Sequence, residues 1–466
     1  MATRPQERGQ LTVIATALLA AHTATAAVPI PTAAQLRYQQ SELVALTHFN
    51  MATFFRNGDP ACDAANWGAS QKPASFAPTN LNVSNWIESY RAVGVKSGIL
   101  TAKHGCGFLL WPTNVTLPNG DNYGYHVGGP GGIGVDVVRQ YVDAMTAAGL
   151  PYSFYYSLKD SFYLNAIRDN VKAGPVLPGQ INVTQDQFED ISVAAVTELW
   201  SRYGSLNEIW FDGGISSRIS SRIIALLDKY QPNAVTYGAG IGNDKNEVDW
   251  IGTESGEPKY PVWSTGCNSP GAGSTGVSPE TNPTNFCPKG GDCTLQAPDI
   301  WFWEPNLPLK PLSELQDMYH ATVGANAVME LDFAIDRTGN IDPLQAKAYA
   351  AFGGWIKACY GSPVAASQWS MANTLVLDVP KSASAVDRVA IREDLSRGQR
   401  ITGFTVEYQA QGTTAWLPFV SGSAVGNKHI AIGTKAQIAS IRLNVTAGVE
   451  LPANITIAAF ASEPCA

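Results

Sequence analysis

Two carboxylates, two histidines and several aromatic rings stand at positions where an α/β chain keeps its chemistry. Asp212 closes the run Glu208-Ile-Trp-Phe-Asp212 and is followed by Gly213-Gly214, which let the backbone turn and leave the carboxylate open in front. Trp210 lies two residues earlier, on the same face of an extended strand. Glu254 follows Val248-Asp-Trp-Ile-Gly252, His48 ends the run from Leu43, His104 ends the run from Ser97, and Tyr155 sits within Tyr152–Ser157. Taken alone, Asp212 reads equally well as the cap of a following helix. Its company at other strand ends favours a site. Paired carboxylates with rings and neutral His or Tyr donors suit glycoside hydrolysis: one carboxylate attacks the anomeric carbon or activates water, and the other protonates the leaving oxygen. The acid needs a pKa raised by burial or by its partner's charge. Cys106, near His104, is a poorer nucleophile candidate than Asp212 and reads as a small buried thiol. The six His are scattered and no Cys-x-x-Cys occurs, so neither a metal nor a cofactor is expected.

These positions require a scaffold. From about residue 40 to 360, short apolar runs alternate with helical stretches. Strands are expected at 43–48, 97–104, 152–157, 208–212, 234–237, 248–252 and 327–332, with helices around 86–93, 184–203, 217–230 and 312–323. Continuous apolar strands alternating with helices indicate a parallel sheet, and there are enough units for a (β/α)8-like barrel. On such a barrel the strands' C-terminal ends carry the catalytic groups. Residues 241–300, rich in Gly and Pro, read as long site-building loops. After Gly361-Ser-Pro363 the texture changes to short strands at 374–379, 401–408, 416–420, 429–432, 438–445 and 455–460. Turns recur there at roughly 8–12-residue intervals, the pattern of an antiparallel β-sandwich.

Composition narrows the function classes. Of 466 residues, 45% are hydrophobic and 15% charged, enough to bury a large core and too apolar for a disordered chain. A net charge of −8 makes nucleic acid an improbable partner. Residues 1–26 read as a secretory signal: Arg4 and Arg8, an apolar run from Leu11 to Ala21, then Ala24-Thr25-Ala26. That run is too short to span a bilayer, and no other reaches ~20 apolar residues, so no membrane partner is expected. The expected location is extracellular. Asn82, Asn114, Asn182, Asn444 and Asn454 head glycosylation sequons. Seven Cys in an oxidising compartment suggest three bridges and one free thiol, and Cys287 and Cys293 lie close enough to close a small loop.

At these same residues the sequence resembles the alpha-L-fucosidase family, glycoside hydrolase family 29, most closely its plant-type secreted branch. The matching stretches are Thr47-His-Phe-Asn50, Asn66-Trp-Gly68, Leu100 to Phe108 (LTAKHGCGF), Glu208 to Gly213 (EIWFDG), Asp249 to Gly256 (DWIGTESG), Val323 to Asn326, and Arg392 to Arg400 with Phe404–Glu407 in the sandwich. The resemblance implies a retaining exo-enzyme acting on fucosylated oligosaccharides or glycoconjugates. It implies Asp212 as nucleophile, Glu254 as acid/base, and His48, Trp67, His104, Tyr155 and Trp210 as the fucose pocket. Glu280 is the next acid/base candidate, ahead of Glu257 and Glu304. Gly105 and Cys106 stand where the family often has a second His or a Glu, and Asn66 where it often has Glu. The expected organisation is a signal at 1–26, a catalytic barrel at 27–363 and a sandwich at 364–466. A secreted fucose-binding protein without catalysis, or a barrel glycosidase for another sugar, are the alternatives.

Overall fold

The computed structural model describes residues 28–55, 62–240, 246–267, 285–463 and 465. The proposed signal segment and Glu280 fall outside these residues.

Eight parallel strands close a barrel in sequential order. They are β1 Leu43–His48, β2 Ser97–Lys103, β3 Tyr152–Tyr156, β4 Glu208–Trp210, β5 Val235–Tyr237, β6 Glu247–Trp250, β7 Lys289–Cys293 and β8 Val328–Ala334. Every residue of β1, β2, β4, β5, β7 and β8 is buried, as expected of strands covered on both faces. Ala33–Ser41 forms α1, ahead of β1. The connecting helices are α2 Val83–Val93, α3 Val137–Ala148, α4 Gln185–Arg202, α5 Ser220–Tyr230, α6 Leu312–Thr322 and α7 Pro343–Tyr360. α4 opens on a reciprocal capping box between Thr184 and Gln187, which explains its start one residue after the expected position. Among the described residues no helix follows β5 or β6, so the barrel is irregular on that side. None of the described helices is long and apolar enough to cross a membrane.

The reading of 241–300 as loop is corrected by β7. Its sequence, Lys-Gly-Gly-Asp-Cys, carries none of the β-branched residues that mark a strand. Glycine is required there for packing. A Cβ on Gly290 would lie 2.2 Å from the Tyr38 hydroxyl and 2.4 Å from the Tyr237 ring. The polar members are paired: Lys289 with Asp249 at 2.9 Å, and Asp292 with the Trp250 indole N–H at 2.6 Å.

The C-terminal part is two four-stranded antiparallel sheets. One holds Ala365–Ser370, Asn454–Ala461, Val386–Glu393 and His429–Ala436; the other holds Thr374–Asp378, Ile438–Gly448, Ile401–Ala410 and Leu417–Gly422. Their inner faces share one apolar core that includes Leu377, Ile391, Phe404, Ile441 and Ile457. The strands at 365–370 and 386–393 are additions to the sequence reading. The barrel and sandwich are fastened by Glu42, which takes Lys428 at 2.6 Å and Arg392 at 2.5 Å, and by the Cys359–Cys465 disulfide.

The cysteine arithmetic holds at three bridges and one thiol, with a different pairing. Cys287 bonds Cys267, not Cys293, which is the buried free thiol. Cys106 is no free thiol either: it is bonded to Cys62.

Candidate active site

Three adjacent strands set the floor of the site. Tyr155 of β3 is in register with Trp210 of β4, and Trp210 with Tyr237 of β5. Their rings consequently stack in a row, at 5.1 Å and 4.7 Å between centroids. Beyond β4, Phe211 still donates its N–H to the Tyr237 carbonyl, and Asp212 follows as the chain leaves the barrel through Gly213 and Gly214, both at positive φ. Asp212 Oδ2 accepts the Tyr155 hydroxyl at 2.5 Å. Burial raises the Asp212 pKa, while Tyr155, His48 and Lys103 pull it back down.

His48 and His104 form the adjoining wall. His48 donates from Nδ1 to Asp332 Oδ1 at 2.8 Å. Its ring lies 6.2 Å from His104, 6.1 Å from Tyr155 and 5.0 Å from Trp301. His104 stacks on Tyr155 at 5.6 Å, and burial, with the nearby His48 and Lys103 charges, pushes its pKa down to about 3. It is a neutral ring with Nδ1 unpartnered among the described residues. Phe302 packs edge-on against both histidines, at 5.1 Å and 4.9 Å. Lys103, immediately before His104, is buried and donates to the carbonyls of Ser157 and Asp160; burial brings its pKa down to about 7.

Glu254 lies in the loop after β6, exposed, with Oε2 accepting the Trp301 indole N–H at 3.3 Å. Trp301 thereby links Glu254 to His48. Of the other acid/base candidates, Glu304 is ion-paired with Arg337 at 3.5 Å, and Glu257 is exposed. Trp67 stands against Phe162 and Tyr125, at 5.3 Å and 5.6 Å, with its indole N–H on the Pro178 carbonyl at 2.9 Å. It approaches the histidine wall through Phe162, whose N–H bonds the Gly105 carbonyl. The Cys62–Cys106 bridge ties the Asn66-Trp67 segment to the same strand end.

The structure therefore brings His48, His104, Tyr155, Trp210 and Asp212 into one cluster, joins Glu254 through Trp301, and places Trp67 one ring further out. Sequence reasoning missed Asp332, Glu330, Trp301 and Phe302. Glu330 accepts Trp210 Nε1 at 2.8 Å and the Tyr38 hydroxyl at 2.6 Å, holding the floor ring in place. Beside it Glu208 is fully buried, and desolvation with the Glu330 charge raises its pKa. A signal was present: Glu330 and Asp332 alternate on an otherwise apolar strand, so both carboxylates share one face. Trp301 and Phe302 offered none, because they follow the unrecognised β7. Among the described residues no group of three metal-ligating side chains is assembled.

The sequence profile described as alpha-L-fucosidase matches residues 48–361, from the end of β1 to just past α7. The chain belongs to the alpha-L-fucosidase family. It is a glycoside hydrolase. Alpha-L-fucosidase 1 of Arabidopsis thaliana is 25% identical over 448 residues, covering 86% of this chain and 81% of the relative. A Bacteroides thetaiotaomicron protein provisionally named an alpha-L-fucosidase superposes with a TM-score of 0.80 at 27% identity, covering 94% of this chain and all (100%) of the other. A Ruminococcus gnavus fucosidase of glycoside hydrolase family 29, solved with fucose, has the same fold, with a TM-score of 0.71 at 20% identity over 94% of this chain and 97% of its own. In this fucosidase-family chain the barrel, the part the profile covers, holds every residue of the cluster.

Proposed function

We propose that the chain is a retaining, exo-acting alpha-L-fucosidase that removes terminal alpha-L-fucose from oligosaccharides or glycoconjugates. The observation that carries this reading is the Tyr155–Asp212 hydrogen bond at the end of a stacked aromatic floor, facing two histidines. In the first step an Asp212 oxygen bonds the anomeric carbon, the glycosidic C–O bond breaks, and Glu254 gives its proton to the departing oxygen. In the second step Glu254 takes a proton from water, the water oxygen bonds the anomeric carbon, and the Asp212 ester bond breaks. Two inversions return the α-configured sugar. The Tyr155 donor and the Lys103 charge favour the carboxylate form that attack requires. Neutral His104 binds sugar hydroxyls without adding charge. His48, with Nδ1 committed to Asp332, turns Nε2 toward the substrate. Trp210 and Tyr155 supply the apolar floor, and Trp67, one ring further out, backs Phe162.

The family and the fucose-bound R. gnavus relative support fucose as the sugar. Hydrolysis of an aryl alpha-L-fucoside, followed by proton NMR of the sugar first released, tests the proposal. Alpha-fucose as first product is expected. Beta-fucose as first product refutes retention, and binding without turnover favours a fucose-binding protein.

We further propose that the chain is secreted after removal of residues 1–26, which the three disulfides support. Glycans are expected on Asn82, Asn114 and Asn182, whose side chains are exposed. Asn444 spends its amide on Glu407 at 2.9 Å and Asn454 contacts Asp394 at 3.4 Å, so both are poorer acceptors. Secretion from a eukaryotic host, with N-terminal sequencing and glycopeptide mapping, checks both points.

A further inference from the structure

The segment bearing Glu254 runs from Ile251 to Ser264 and is held from two sides. On the barrel side, the Gly256 carbonyl accepts the Thr322 hydroxyl, and Gly256 is packed so closely that a Cβ there would lie 2.9 Å from Cys293 Cβ. On the other side the anchors are sandwich residues. The Tyr260 hydroxyl accepts the N–H groups of Ser423 at 2.8 Å and Ala424 at 2.9 Å, and donates to the Ala424 carbonyl at 3.1 Å. Its ring lies 5.3 Å from His429. Gly422 is the glycine this approach requires, since a Cβ would meet the Tyr260 hydroxyl at 2.5 Å. Four residues on, the Ser264 N–H donates to Gln399 Oε1 at 2.7 Å. Asn326 closes the junction: its amide reaches the Val262 carbonyl at 3.1 Å and Gln399 at 3.3 Å, and its oxygen accepts the Asn427 N–H at 2.7 Å.

Burial accounts for the partners of Ser264, Asn326 and Gln399 but not for those of Tyr260. Tyr260 is 40% exposed, yet its hydroxyl serves three backbone groups of one sandwich turn. Glu254 itself sits on no helix or strand, and its described hydrogen-bond partner is the Trp301 indole at 3.3 Å. A general acid must come within about 2.6–3.2 Å of the leaving oxygen. A loop residue owes such placement to its loop's anchors, and a misplacement of about 1 Å can cost on the order of a hundredfold.

We propose that the β-sandwich is a positioning element of the catalytic reaction: through Tyr260 and Gln399 it sets the reach of the Glu254 loop. Tyr260 and Gln399 are positioning residues that act through Glu254. The inference rests on the reading of Glu254 as acid/base.

The test is leaving-group dependence, read as kcat/KM, which reports the first chemical step. A 2,4-dinitrophenyl fucoside departs without protonation; a fucosyl-galactose disaccharide needs the acid. Tyr260→Phe and Gln399→Ala are expected to lie within about twofold of the parent on the dinitrophenyl substrate and about tenfold below it on the disaccharide. Retained turnover of the activated substrate shows that each variant is folded. Glu254→Ala sets the ceiling, with the same selectivity and a larger loss. Equal losses on both substrates, or no loss on either, for Tyr260→Phe and Gln399→Ala overturn the positioning role while leaving Glu254 intact. Equal losses for Glu254→Ala itself overturn the acid/base reading, and the positioning role with it.

Discussion

The Tyr155 hydroxyl donates to Asp212 Oδ2 at 2.5 Å, across the junction between the third and fourth barrel strands. Tyr155 belongs to both parts of the site. Its ring is the first of the stacked floor and its hydroxyl holds the carboxylate that faces it. Burial, with Asp160, raises the Asp212 pKa; the phenol, His48 and Lys103 oppose that.

Tyr155→Phe removes the donor and keeps the ring. A hydrogen bond to a charged group is worth about 1.5–3 kcal/mol, so the Asp212 pKa should rise further. The acid limb of the kcat/KM profile should move to higher pH, with activity on its slope down by about tenfold or more. A profile that falls uniformly without moving would assign Tyr155 to sugar binding alone.

Asp332 gives a second pH effect. Burial raises its pKa from 3.8 to about 6, with His48 opposing the shift. Activity should decline as pH falls through about 6, where protonation removes the acceptor that orients His48. Stability runs the other way. A carboxyl whose folded pKa is raised contributes stability fully present below its unfolded value and lost as pH rises through the folded one. Asp332→Asn should therefore lose about 10- to 100-fold in kcat/KM at neutral pH and flatten the loss of thermal stability between pH 4 and 7 that this group causes. An unchanged kcat/KM would show that His48 needs no such partner.

The disulfides can be mapped directly. Non-reducing peptide maps should give Cys62–Cys106, Cys267–Cys287 and Cys359–Cys465, with Cys293 alkylated only after unfolding. Replacing Cys62 and Cys106 by Ser should cost about 4 kcal/mol if the chain-entropy account applies to a bridge with a sequence separation of 44. It should also raise KM, because that bridge holds the Trp67 segment near the histidine wall. Recovery of a Cys287–Cys293 peptide would contradict the pairing.

How far the fold could be read from sequence depended on whether a strand's reason for being buried lay within itself. β1 and β2 are apolar runs and were legible. Asp212, His48 and His104 followed from the rule that strand ends carry chemistry. β7 was illegible because its glycines answer to Tyr38 and Tyr237, remote in sequence. The same gap hid Trp301 and Phe302, which have meaning only once β7 is in the wall. Cys106 reads as an inert thiol until its partner 44 residues away is brought beside it.

The glycines of β7 are sensitive to any added side chain. Gly290→Ala puts a methyl group against two fully buried tyrosines, and should destabilise the barrel by about 1–3 kcal/mol through overpacking. Thermal unfolding of the variant checks it. Tyr237→Phe would not relieve the clash, because the contact is with the ring.

The central claim is that Asp212 is the nucleophile of a retaining fucosidase. Asp212→Gly, assayed on an activated aryl fucoside with and without azide, tests it most directly. The variant should lose turnover on the order of a thousandfold or more. Azide, entering the space left by the carboxylate, should restore part of it and yield beta-L-fucosyl azide. Undiminished activity in Asp212→Gly would contradict the claim.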